Sequence, residues 1–166
     1  YCVFAANSSA AMAEKAVELL EPVIHTGDVD EYKDQVAGKV RFYNVRSEYT
    51  AYNHDVIKGF DKDLHTIIKE QDSPRRSVKK LFKGVGMKEA SHFLRNIGHS
   101  GYCILDKHVR QVMCDIDVLN STSYPSRPDE YEEAERRIQA FCDANGLDVD
   151  VFDLAVWSYK TGRIAK

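Results

Sequence analysis

The segment Leu81-Phe82-Lys83-Gly84-Val85-Gly86-Met87-Lys88 constrains the fold of this chain more than any other. Helical spacing of apolar residues runs into Phe82 and resumes at Met87, so two helices have to meet across a few residues. Glycines on either side of one apolar residue let the backbone reverse sharply and bring its amides close to a partner with no Cβ between them. A turn of this kind that opens onto a helix N-terminus suits a phosphate, because unpaired N–H groups and the positive end of the helix dipole point the same way. The second helix carries Lys88 in its first turn. Eighteen positions further on, Asp106 starts another helix with Lys107 and His108 behind it.

Helical periodicity governs the rest of the chain, with little strand alternation, and the fold class it predicts is all-α. A first helix is expected over 9–20, with Asn7, Ser8 and Ser9 as caps and Pro22 marking its end. Gly27 to Asp34 reads as an acidic turn or short helix. Over 41–57, Val45, Tyr49, Tyr52 and Val56 recur at helical spacing, a face expected to pack inward. Asp61 begins a short helix to Lys69, and Ser73 before Pro74 supplies a cap and a first-turn proline for the first hairpin helix. The second hairpin helix, 87–97, stops at Gly98. Residues 102–105 form a short extended crossing, and Asp106 caps a helix running to Leu119. A polar link, 120–128, leads to helices over 129–144 and, capped by Asp150, 151–159. Residues 1–166 read as a single unit organised by the hairpin at 74–97, with helical lobes flanking a cleft.

A net charge of −3 argues against nucleic-acid binding until it is resolved along the chain. Residues 75–110 hold nine Lys/Arg against two Asp/Glu, a net +7, while the remainder holds fourteen against twenty-four, a net −10. Basic charge concentrated around one hairpin is the footprint of phosphate contacts. Cys2, Cys103, Cys114 and Cys142 are far apart, form no CxxC pair and read as buried free thiols. His54, His65, His92, His99 and His108 have no matching carboxylate spacing for a metal site. No apolar run reaches the ~20 residues that span a bilayer, so a cytoplasmic protein without a membrane partner is expected. The start Tyr-Cys-Val-Phe lies inside an apolar run, as if residues preceding it were missing.

The glycine hairpin and its lysine resemble the helix-hairpin-helix of DNA glycosylases, where a lysine in that place marks the lyase-active members. Asp106 resembles the superfamily's essential carboxylate. Further stretches are similar to the archaeal and bacterial, type-two family of 8-oxoguanine DNA glycosylase/lyases: Ala5-Ala6-Asn7-Ser8-Ser9-Ala10, Arg41-Phe42-Tyr43-Asn44, Lys88-Glu89-Ala90-Ser91-His92-Phe93-Leu94-Arg95-Asn96, and Trp157 with the terminal Lys166. The resemblance spans nearly the whole chain. It omits the four-cysteine cluster loop of endonuclease III and its adenine-excising relatives, so no iron–sulfur cluster is expected.

The resemblance implies a bifunctional enzyme acting on 8-oxoguanine in duplex DNA, as a monomer, in the cytoplasm of an archaeon or bacterium. Lys88 would attack the sugar's anomeric carbon, form a Schiff base and nick the strand by β-elimination. Asp106 would stabilise the positive charge that builds on the ring. The lysine must attack as a free amine, and its first-turn position with basic neighbours opposes the ammonium form. Phe42, Trp157 and the carboxylate of Lys166 would receive the flipped base. Lys83, Gly84, Val85, Gly86, Arg95, Lys107 and His108 would meet DNA, with Arg41, Arg46, Arg75, Arg76 and Lys79 as weaker phosphate candidates. No cofactor is implied beyond a monovalent cation held by the carbonyls of Phe82 and Val85. Two alternatives stay open: a hairpin module that binds DNA without chemistry, and an enzyme for another oxidised base.

Overall fold

The computed structural model describes residues 1–163, and among them the chain forms ten helices and no strand. It divides into two compact units, Tyr1–Ala90 and a second from Ser91 onward. No described helix is long and apolar enough to cross a membrane.

The first unit contains α1 (Cys2–Ala5), α2 (Ala10–Leu20), α3 (Val29–Val36), α4 (Tyr43–Lys58), α5 (Leu64–Lys69), α6 (Pro74–Leu81) and the opening turn of α7 (Met87–Asn96). Its helices start at short polar caps: the Ser9 hydroxyl accepts from Met12 N, and the Asp28 and Asp63 carboxylates accept from the first-turn amides of α3 and α5. Ser73 stands at the N-cap of α6 with Pro74 behind it, but its hydroxyl makes no capping bond, contrary to expectation. Phe4, Ala13, Ala16, Leu20, Tyr32 and Val36 form the core shared by α1, α2 and α3. Tyr32 is fully buried because its phenol is satisfied: it donates to Ile24 O at 2.6 Å and accepts from Gly27 N at 3.1 Å.

Helix α4 corrects the expected inward face in part, Tyr49 and Val56 being half-buried. Val45 and Tyr52 are 46% and 41% exposed, and the fully buried residues are Arg46 and Ser47. The cause lies at the end of α1, where backbone carbonyls have no helical partner. The Arg46 guanidinium donates to Phe4 O at 2.6 Å and to Ala6 O, answering two carbonyls with one fork and drawing this side of α4 inward.

The second unit holds the rest of α7, then α8 (Lys107–Asp115), α9 (Pro128–Ala144) and α10 (Val149–Thr161), with α8 and α9 each packed on α10. Gly98 ends α7 at φ +92°, and His99 N reaches back to Leu94 O, as its position implied. Two boundaries differ from expectation. Helix α8 stops at Asp115 rather than Leu119, because Asp117 turns left-handed and the amides of Val118 and Leu119 both return to Met113 O. Asp148, not Asp150, caps α10: its Oδ1 accepts from Asp150 N and Val151 N.

Residues 101–105 run extended without a strand partner, and side chains take over the backbone pairing. Gly101 N donates to Asp150, Cys103 N to Glu135, Ile104 N to Asp153, and Leu105 N to the Tyr131 hydroxyl, which in turn donates to Cys103 O. Asp153 is 2% exposed and takes Arg95 Nη1 on both oxygens at 2.6 Å. Burial raises its pKa to about 6 against the opposing pull of Ile104 N–H and Arg95. Burial likewise raises the free thiols of Cys2, Cys103 and Cys142.

Asp153→Asn removes an oxygen acceptor shared by Arg95 and Ile104 N–H, leaving Arg95 the more distant Asp150 carboxylate at 3.5 Å, and is expected to cost about 1–3 kcal/mol in urea unfolding. Arg95→Met with Asp153→Leu should cost less than the two single changes added together. The folded protein holds the Asp153 proton more tightly than the unfolded chain does. Its contribution to stability is therefore full below pH ~4 and lost as the pH rises through about 6, a slope absent from Asp153→Asn.

Candidate active site and nucleic-acid interface

The hairpin is built from the far side. Helix α6 ends at Leu81, Gly84 adopts φ +74°, and α7 begins at Met87. The side of α4 that carries Tyr49 and Asn53 is what holds this turn. Asn53 brackets Lys83, accepting from its N–H at 2.8 Å and donating to its carbonyl at 3.0 Å. Tyr49 lies so close to Gly84 that a Cβ there would come within 2.6 Å of its ring. The Tyr52 ring carries the Lys83 ammonium at 4.0 Å. Gly84 therefore serves both roles of glycine at once, a left-handed backbone and a close approach. Tyr49 and Asn53 were missed as supports of the site. Their spacing of four on a helix put them on one face, but nothing in the sequence said which element that face would meet.

Lys88 stands half-buried in the first turn of α7, and its Nζ lies 3.0 Å from Oε1 of Glu89, a partner sequence reasoning did not single out. Lys83 is exposed beside it in sequence, and Gly84, Val85 and Gly86 are partly exposed. Arg41, Arg76 and Lys79 also face solvent, whereas Arg46 and Arg75 are buried.

In the second unit, Asp106 caps α8 as expected, and it does so with one oxygen. Oδ1 accepts from His108 N and Val109 N, each at 2.8 Å. Oδ2 makes no hydrogen bond with the described residues, so the same carboxylate can hold the helix and offer an acceptor outward. Lys107 is exposed and His108 half-buried. Arg95 departs from its expected place among the DNA contacts. Its guanidinium is spent on Asp153, on Asp150 O at 2.5 Å and near the Asp150 carboxylate at 3.5 Å. Carboxylates from α10 engage it.

Of the base-pocket candidates, Phe42 is 60% exposed and is no core residue. It occupies the N-cap of α4 at φ +55°, with the guanidiniums of Arg41 and Arg46 at 5.2 and 5.8 Å from its ring. A bulky residue rarely adopts that backbone, and one that does so at a solvent-facing ring is held there by its surroundings. Trp157 is half-buried on α10, and Lys166 lies outside the described residues. Among the described residues no three His, Cys, Asp or Glu side chains converge as a metal site.

Comparison with known proteins agrees along the whole chain. The helix-hairpin-helix family described as 8-oxoguanine DNA glycosylase matches residues 1–147. The 8-oxoguanine DNA glycosylase/AP lyase of Metallosphaera sedula is 32% identical over 166 residues, 99% of this chain and 81% of its own length. That of Picrophilus torridus is 31% identical over 169 residues, 100% of this chain and 78% of its own. The crystal structure of the Thermotoga maritima 8-oxoguanine DNA glycosylase aligns with a TM-score of 0.87 at 27% identity, covering 99% of this chain and 78% of the other. The Methanocaldococcus jannaschii 8-oxoguanine glycosylase/lyase, solved with a 15mer DNA containing 8-oxoguanine, shares the fold at 24% identity and a TM-score of 0.86, covering 99% and 79%.

The geometry separates two glycines with positive φ. Gly84→Ala meets both the left-handed penalty and the Tyr49 ring and is expected to destabilise by about 2–4 kcal/mol. Gly98→Ala has open space around it and should cost only about 1 kcal/mol. Urea midpoints of the two variants at constant slope check the difference.

Proposed function

We propose, from the premise that this chain belongs to the 8-oxoguanine DNA glycosylase family, that it excises 8-oxoguanine from duplex DNA and cleaves the resulting abasic site as a lyase. The observation that carries this reading is Lys88 in the first turn behind a glycine hairpin that α4 clamps in place. Relatives aligned over the full chain are named for both activities.

The reacting carbon is shielded in a duplex, so the nucleotide must first be extruded. The hairpin amides at Gly84, Val85 and Gly86, with Lys83, Lys107 and His108, take the backbone, and Phe42 and Trp157 take the faces of the base. 8-Oxoguanine carries a ring N–H that guanine lacks, and a site that requires this donor leaves guanine with an unmet contact. The Lys88 amine then attacks the anomeric carbon as the bond to the base breaks. Asp106 Oδ2 offsets the charge developing on the sugar. The covalent amine passes to a Schiff base with the opened sugar, and β-elimination breaks the 3′ phosphate bond.

This chemistry needs no organic cofactor or iron–sulfur cluster. Backbone carbonyls are hard donors suited to an alkali cation, and the Val85 carbonyl takes none of the hairpin's described hydrogen bonds. Phe82 and Val85 would hold such an ion, which would supply positive charge toward a phosphate. The enzyme works as a monomer in the cytoplasm.

Borohydride should trap the protein on an 8-oxoguanine duplex as a covalent adduct, and Lys88→Gln should abolish the adduct while duplex binding persists. A panel of other single-lesion duplexes should trap more slowly. Asp106→Asn keeps a good helix cap, so its melting curve should stay near wild type while single-turnover excision falls about 10²–10³-fold.

Phe42→Ala is expected to cost under about 1 kcal/mol in stability, against the ~3–5 of a core phenylalanine. It should slow 8-oxoguanine excision roughly tenfold through lost stacking and leave cleavage of a preformed abasic site unchanged, since no base remains to be held.

A further inference from the structure

Adjacent side chains on a helix diverge by about 100° and do not ordinarily meet. Lys88 Nζ and Glu89 Oε1 nevertheless lie 3.0 Å apart, on side chains 23% and 10% exposed. A first-turn carboxylate is favoured by the helix dipole wherever it points, so that role gives no reason to bury Glu89. Burial of a carboxylate is costly unless it is paired, and its partner here is the nucleophile assigned above.

We propose that Glu89 is the general base that takes a proton from the Lys88 ammonium, an inference that rests on the reading of Lys88 as the nucleophile. In the step, one Nζ–H bond breaks, the proton passes to Oε1, and the electron pair stays on nitrogen. That pair forms the bond to the anomeric carbon as the bond to the base breaks and its electrons leave with the base. Glu89, now a carboxylic acid, returns its proton to solvent through its exposed edge.

Other titratable groups face the pair. Cys2 of α1 feels both charges, and burial pushes its thiol up to about 11, so it remains a neutral thiol and does not compete for the proton. His92 lies one turn along α7, on the Lys88 face by spacing.

The test is single-turnover borohydride trapping on an abasic-site duplex from pH 5 to 10, which removes base recognition from the measurement. In Glu89→Gln the trapping rate at pH 7 should fall about 10²-fold or more, and the loss should close toward the alkaline end of the range, where solvent takes the proton instead. His92→Gln should leave the acid limb where it is in the wild type. An unchanged profile in Glu89→Gln, a limb displaced to lower pH, or a limb moved by His92→Gln instead would each overturn the proposal. Duplex affinity and urea unfolding show whether Glu89→Gln keeps its fold. If it does not, Glu89→Asp must retain the wild-type limb, and its failure to do so in a folded, DNA-binding protein overturns the proposal equally. Wild-type protein that never traps would overturn the lyase reading itself, a different result from a trapping enzyme indifferent to residue 89.

Discussion

Chains made of helices alone satisfy backbone polar groups within each helix and have no ladder to receive those between helices. Every non-helical stretch in this protein that matters for the site is answered by a side chain. Arg46 receives the carbonyls at the end of α1, Asn53 takes both backbone groups of Lys83, and Glu135, Asp150, Asp153 and Tyr131 take the amides of 101–105. These contacts are few and specific, and each is costly to leave unmade. They hold in place two short stretches, the turn before Lys88 and the crossing before Asp106.

This explains why so many polar residues are buried without being part of the reaction. Arg95 and Asp153 look like a functional pair by charge and burial, yet their work is to hang Ile104 from α10, two residues before Asp106. Asp106 itself divides its oxygens between holding α8 and facing outward. Lys88 and Glu89 show the reverse case, a close contact with no evident architectural task.

Much of this was legible in the sequence where the determinant is local. The glycine turn, the Ser9 and Asp106 caps and the Gly98 terminator follow from residue types that favour one backbone conformation. The face of α4 was not legible, because a guanidinium 40 or more positions from its carbonyls outweighed the apolar stripe. Asp148 and Asp150 are alike in type, and only the backbone conformation at 148 separates the cap from its neighbour. Arg95 belonged to a basic cluster by count, while its partner lay 58 residues away. Glu89 escaped notice because neighbours in sequence on a helix rarely touch.

The state of the sulfurs bears on the conditions in which such an enzyme is needed. 8-Oxoguanine is a product of oxidants, and those same oxidants attack cysteine as thiolate. Cys2, Cys103 and Cys142 are buried and held as thiols, with burial raising each pKa. Peroxide that damages the genome would find these groups slow to react, and the repair protein could outlast the stress that creates its substrate.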